Sequence, residues 1–410
     1  MVFAQELDIT GFYRVGADVV GSSSQKFPDP TPSDLTATRA DYFRAGATHS
    51  RGRVNFTAAN DDGTFGGFIR FEADFVGTGH YFTMPYGYAW WQPIEQVKVT
   101  AGLFDDFYVY DIVDTFGGVA EDTKVHYTSY EDLFVGPFAQ HYDDGAGLGV
   151  GIYPIPGLSI GLGIPLVNYA LGRPPTEKPL ETAKHVYGNV KVQVAYELED
   201  TVRVALGFHA VDEDRQTGGG TWADGYDATN SSIFLAGYIT AIENMGINIG
   251  LQFTLPYEND ITKTKYSAPF RIGLGFNYDM DAFGIGARLG FALGSSAEPE
   301  VGDKRSGPFE FGLNILPSYD LGVCKIFLNA GIHMIALNAD YKKSIKDGGA
   351  DEPKDGFGFH VNPYVEKSIG GGSFFVGFKL YTEAFDMWVD GTDEKAVIRW
   401  SIPCGMRFAF

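Results

Sequence analysis

From Lys395 to Phe410 the chain alternates almost without a break. Ala396, Ile398, Trp400, Ile402, Cys404, Met406, Phe408 and Phe410 fall on one face, and Val397, Arg399, Ser401, Pro403, Gly405, Arg407 and Ala409 on the other. Successive strand side chains point to opposite faces, so this is a strand with one apolar side and one small or basic side. The same period opens the chain. Leu7, Ile9, Tyr13, Val15, Ala17 and Val19 lie opposite Asp8, Thr10, Arg14 and Asp18. Residues 51–59 put Val54, Phe56 and Ala58 on one face, and Asn60-Asp61-Asp62-Gly63 then reads as a hairpin turn. The return strand sets Phe65, Ile69, Phe71 and Phe75 against Arg70, Glu72 and Asp74.

Turns along the rest of the chain alternate between short and long. Short ones fall at Asn60–Gly63, Gln92–Gln96, Pro154–Gly157, Leu198–Asp200, Ile242–Met245, Tyr278–Ala282, Asp320–Gly322 and Ser368–Gly372. Between them lie 21–49, 105–144, 167–186, 213–229, 256–267, 295–306, 337–355 and 386–394, and one short link near Gly77–His80. Short turns on one rim and long loops on the other are what an antiparallel membrane barrel needs, the short rim periplasmic and the long one extracellular. The fold expected is all-β: a single transmembrane antiparallel β-barrel of eighteen strands, with sixteen as the runner-up. No run of eighteen apolar residues exists for a spanning helix. Backbone groups at membrane depth must be paired within the protein, so a spanning sheet must close on itself. At this strand number closure leaves a lumen wide enough for water.

Composition fits the pattern. Charged residues make up 20% and aromatics 15%, with 53 glycines, and mean hydropathy is near zero, as expected where a polar lumen face dilutes an apolar outer one. A net charge of -21 repels phosphate backbones and argues against nucleic-acid binding. Cys324 and Cys404 provide no disulfide framework and no metal cluster. Both are read as unpaired and lipid-facing. Residues 1–5 look like the end of a secretory signal, with 6–410 as one barrel. No cofactor is expected.

A strand that ends on Phe408 and Phe410 resembles the terminal strand of bacterial outer-membrane β-barrel proteins. That resemblance implies an assembly signal read by the barrel assembly machinery, and closure against the first strand. Ala89-Trp-Trp…Val99-Thr-Ala-Gly-Leu-Phe-Asp-Asp resembles the strand pair that leads into the constriction loop of general porins. The implied function is a water-filled channel for passive diffusion of ions and small hydrophilic solutes through the outer membrane, non-enzymatic, and compatible with a homotrimer.

The loop 105–144 would be the constriction. It carries Asp105, Asp106, Asp111, Asp114, Glu121 and Asp122 together with apolar groups that a loop in water has little use for. Gly147, Gly149, Gly151, Gly161 and Gly163 leave a bare inner wall against which it could pack, since strand glycine often marks close approach of another backbone. Alternation points Arg14, Arg53, Arg70 and Lys98 inward, facing that wall. The porin resemblance implies that such bases line the pore opposite the acidic loop and set up a transverse field, with local ion pairing across the wall as the alternative. Tyr81, Tyr86, Tyr88, Trp90 and Trp91 crowd the fourth strand and are read as a lipid-side girdle rather than a sugar slide. His209, His333 and His360 have no serine partner in view, which argues against an enzyme. The first strand starts at residue 6, leaving no room for a plug ahead of it. A sugar- or organic-solute-selective channel, and a surface adhesin, remain as alternatives.

Overall fold

The computed structural model describes residues 6–23, 50–76, 79–104, 145–168, 190–199, 201–209, 231–258, 265–268, 270–294, 296–298, 309–336, 355–382 and 399–410. Strands β1 (Glu6–Ser23), β2 (Ser50–Ala59), β3 (Phe65–Val76), β4 (Gly79–Ile94), β5 (Val97–Phe104), β6 (Gly145–Ile155), β7 (Leu158–Asn168), β8 (Lys191–Leu198), β9 (Val202–His209), β10 (Ser232–Ile239) and β11 (Met245–Thr254) follow one another as antiparallel neighbours. The ring continues through β14 (Phe270–Met280), β15 (Phe283–Leu293), β17 (Phe309–Asp320), β18 (Lys325–Ala336), β19 (Gly356–Ile369), the pair β20 (Gly372–Gly377) and β21 (Lys379–Thr382), and β22 (Arg399–Ala409). β20 and β21 are two halves of one stave, interrupted at Phe378, so the 19-stranded sheet has eighteen staves. Three short strands, β12 (Tyr257–Glu258), β13 (Lys265–Tyr266) and β16 (Ala297–Glu298), form a small separate sheet from two of the long connections.

β22 pairs antiparallel with β1 from Phe12↔Ala409 to Ser23↔Arg399, which closes the ring. Gly11 N donates to Phe410 O at 2.8 Å and Phe410 N to Gly11 O at 3.0 Å, so the last residue is stitched to the first strand. The short turns fall within a few residues of where the sequence places them, strands running into several of the expected bounds; Asp200, in the turn between β8 and β9, lies outside the described residues. Gly63 (φ 69°) and Gly157 (φ 78°) supply the left-handed backbone two of them require. In the first, Asp62 accepts from both the amide and the hydroxyl of Thr64, which hold its carboxyl below the usual range.

The distribution of side chains is the reverse of a water-soluble protein's. Phe82 (73% exposed), Leu7 (61%) and Leu206 (53%) point outward, while Lys191 (1%), Gln193 (0%) and Lys379 (1%) are buried. Among the described residues the buried apolar ones are four alanines, Tyr364 and Phe375. In water the exposed leucines and phenylalanines would forfeit their transfer free energy, about 1.5–3 kcal/mol each when fully buried. A hydrocarbon surround removes that cost.

Register also corrects two details. Val19, expected on the apolar face of β1, is the extra residue of a bulge between Asp18 and Val20, and Val20 takes the place opposite Ile402. Cys404 lies between outward Ile402 and Met406, as expected, but Cys324 lies in the turn before β18 and borders a cavity of about 500 Å³ with Arg288 and Glu366. It is not on a lipid-facing strand face. Both thiols are free.

Candidate channel wall

The inner wall can be followed from stave to stave because cross-strand partners share a face. Arg14 stands opposite Arg407 on β22 and Arg51 on β2, two positions from the Arg53↔Glu72 pair of β2 and β3. Arg14 has its place in the ladder, but its side chain is outside the described residues. Arg53 Nε donates to Glu72 Oε1 at 2.6 Å, and the two side chains are only 13% and 10% exposed. Arg53 and Arg407 both lie over the ring of Phe12, at 5.1 and 5.2 Å. Here local ion pairing, the alternative reading of the basic wall, holds for Arg53; Glu72 belongs to Arg53 rather than to Arg70's side of the ladder.

Arg70 is placed differently. Its Nε donates to the neutral Asn55 Oδ1 at 2.9 Å, and its guanidinium lies over Tyr86 (4.6 Å) and Phe68 (5.6 Å). Lys98 Nζ sits 5.2 Å from the ring centre of Trp90. Tyr86, Tyr88 and Trp90 pair with inward Arg70, Phe68 and Gly66, so this part of β4 lines the lumen. That overturns the girdle reading for these three; Trp91 and Phe82 do face outward, at 56% and 73% exposure. The change of face along β4 passes through a bulge at Met84-Pro85, between Arg70↔Tyr86 and Glu72↔Thr83. Proline has no N–H to give to a ladder, and a bulge is where a strand tolerates it.

The glycine wall is where the sequence puts it. Lys98↔Gly151, Thr100↔Gly149 and Gly102↔Gly147 pair across β5 and β6, and Gly149↔Gly163 and Gly151↔Gly161 across β6 and β7. The bases do not face it, however. Lys98 is directly beside it, Arg70 is on β3 and Arg14 on β1, all on the same side of the ring, whereas the stave opposite β6 is β18. On that far side Asn314 Nδ2 donates to Asn329 Oδ1 at 2.9 Å, and His360 Nε2 lies 3.1 Å from both amides. Sequence reasoning noted His360 but missed these amides, which only the register β17–β18–β19 brings together. The acidic set Asp105, Asp106, Asp111, Asp114, Glu121 and Asp122 lies outside the described residues. Phe408 and Phe410 point outward, at 41% and 65% exposure.

No protein-family model matches the sequence, and no curated protein does. Solved structures match along the whole chain. The outer membrane channel DcaP of Acinetobacter baumannii aligns with a TM-score of 0.52 at 9% identity, covering 99% of this chain and 97% of its own. A variant of OccD1 (OprD) aligns at 0.53 and 11% identity, covering 100% and 97%. OccD3 (OpdP) of Pseudomonas aeruginosa aligns at 0.52 and 9%, covering 100% and 92%. The chain therefore has the fold of bacterial outer-membrane channels: a closed antiparallel barrel of eighteen staves.

Proposed function

We propose that this protein is a porin of a bacterial outer membrane, a water-filled channel through which ions and small hydrophilic solutes diffuse passively. The observation that carries the reading is the inside-out barrel: a closed sheet with leucines and phenylalanines outward and Lys191, Gln193, Asn314, Asn362 and Lys379 inward. Such a sheet leaves no unpaired edge in lipid, and its inner surface suits water. The channel reading needs no chemical step. His360 is held by two asparagine amides, with no hydroxyl among its hydrogen-bond partners in the described residues, which supports a structural role.

In this proposal the loop 105–144 folds into the bore against the glycine wall and narrows it. Asp105, Asp106, Asp111, Asp114, Glu121 and Asp122 then come alongside Lys98, with Arg70, Arg53 and Arg14 on the next staves along the same side of the wall. Low-dielectric walls focus the resulting field on whatever permeates. The outward aromatic strand ending in Phe408 and Phe410 serves as the assembly signal, and three copies associate in the membrane. Vesicle swelling in iso-osmotic solute tests the channel, with faster swelling for small sugars than for large ones as the expected result. Neutralising Asp105, Asp106 and Asp111 should shift the reversal potential under a salt gradient toward anions; an unchanged potential would remove the constriction assignment while leaving the channel intact.

A further inference from the structure

Six half-buried side chains from three adjacent staves form one stripe up the lumen wall. Trp90 stands nearest the short-turn rim, where its Nε1 donates to Gly63 O at 3.2 Å. Its ring centre is 6.4 Å from that of Tyr88, which stacks on Phe68 at 5.2 Å and 27°. Arg70 then bridges Phe68 and Tyr86, while Lys98 covers Trp90. Successive rings on β4 are two residues apart, roughly 7 Å at the rise of a strand. A passage for water and salt has no use for aromatic faces, which are costly to hydrate.

Two cations, Arg70 and Lys98, give the stripe its charge. Arg53 is neutralised by Glu72, and Arg203 by Glu197. Among the described residues no carboxylate lies within ion-pair distance of Arg70 or Lys98. Their contacts are the neutral Asn55 amide and aromatic rings. Arg70 commits one donor to Asn55, and a guanidinium has five. A neutral planar solute could stack here yet leave both charges unanswered. A small aliphatic anion would meet the charges and leave the rings wet. A planar ring bearing a carboxylate satisfies both, stacking on Tyr88 or Phe68 while its oxygens take charge-assisted hydrogen bonds from Arg70 or Lys98.

We infer that the Trp90–Tyr88–Phe68–Arg70–Tyr86 stripe with Lys98 is a binding track for aromatic carboxylates. The inference rests on the channel reading and names a solute class for it. Benzoate is the probe, with acetate, cyclohexanecarboxylate and benzyl alcohol as controls. Binding is followed by the intrinsic fluorescence of detergent-folded protein, to which Trp90 contributes, and separately by block of ion current in a bilayer. Benzoate should bind roughly three- to tenfold more tightly than cyclohexanecarboxylate, the margin an aromatic pair adds beyond burial, and acetate should show no saturation. Arg70→Gln should weaken benzoate by about tenfold, as loss of a charge-assisted contact predicts, and leave benzyl alcohol unchanged. Lys98→Gln carries the same test on a second stave should Arg70→Gln fail to fold. Benzoate behaving like acetate, or an unaltered benzoate affinity in both variants, overturns the track. Bilayers that stay sealed would instead overturn the channel reading, while the detergent binding measurement still decides the track.

Discussion

Leu206 separates a lipid-facing barrel from a soluble one by a large margin. It sits in the middle of β9, opposite Val194 on β8 and Leu235 on β10. All three point outward, at 53%, 43% and 43% exposure. Replacing Leu206 by Arg puts a guanidinium on the apolar belt near mid-depth. If that belt meets hydrocarbon, the cost is about 2–4 kcal/mol, or roughly 30- to 700-fold in the folding equilibrium at 1.4 kcal/mol per factor of ten. If the belt met water, exchanging one exposed side chain for another would change stability by no more than about 0.5 kcal/mol. Denaturant titration of the protein folded into phospholipid vesicles reads the difference, with Leu206→Ala as the control for lost contact area. A Leu206→Arg midpoint indistinguishable from that of Leu206→Ala would refute the assignment of this face to lipid.

Other consequences follow from the wall and the turns. Glu72→Gln removes the carboxylate that Arg53 Nε bonds at low exposure and should cost about 3 kcal/mol; the double variant with Arg53→Gln should recover part of that loss in the same titration. Gly331→Ala would bring a methyl group 2.6 Å from the His360 ring and 2.7 Å from Leu313 O, so overpacking of about 1–3 kcal/mol is expected in vesicle-folded protein. Asp62 has a lowered pKa because Thr64 bonds its charged form. Its contribution to the first hairpin is therefore present above the unfolded value and lost as the pH falls through the folded one. Exchange of the Thr64 amide should accelerate over that acid window, and Asp62→Asn should abolish the acceleration.

The architecture was legible because period-two alternation is a direct image of two solvents, and because Asp62-Gly63 and its counterparts mark a turn wherever the chain reverses on the short rim. What escaped was whatever depends on register. β4 carries rings on both faces, so its own alternation offers no contrast with which to orient Tyr88 or Trp90. Only their partners Phe68 and Thr100 settle the question. One extra residue at Val19, or in the Met84-Pro85 bulge, moves every later side chain to the other face; Pro85 marks the second, but no local signal announces the first. The same reasoning explains Glu72. Both Arg53 and Arg70 are near it in sequence pattern, but the ladder sets Arg53 directly across. The amide group around His360 draws on three strands whose relative stagger a single sequence does not carry.

Single-channel recording in a planar lipid bilayer tests the central account most directly. Purified protein added to one side should produce discrete, long-lived conductance steps that grow in proportion to salt concentration, as water in an open bore requires. Bilayers that remain sealed after insertion, with the barrel verified as folded, would mean that the lumen is blocked and that this protein is not a diffusion channel.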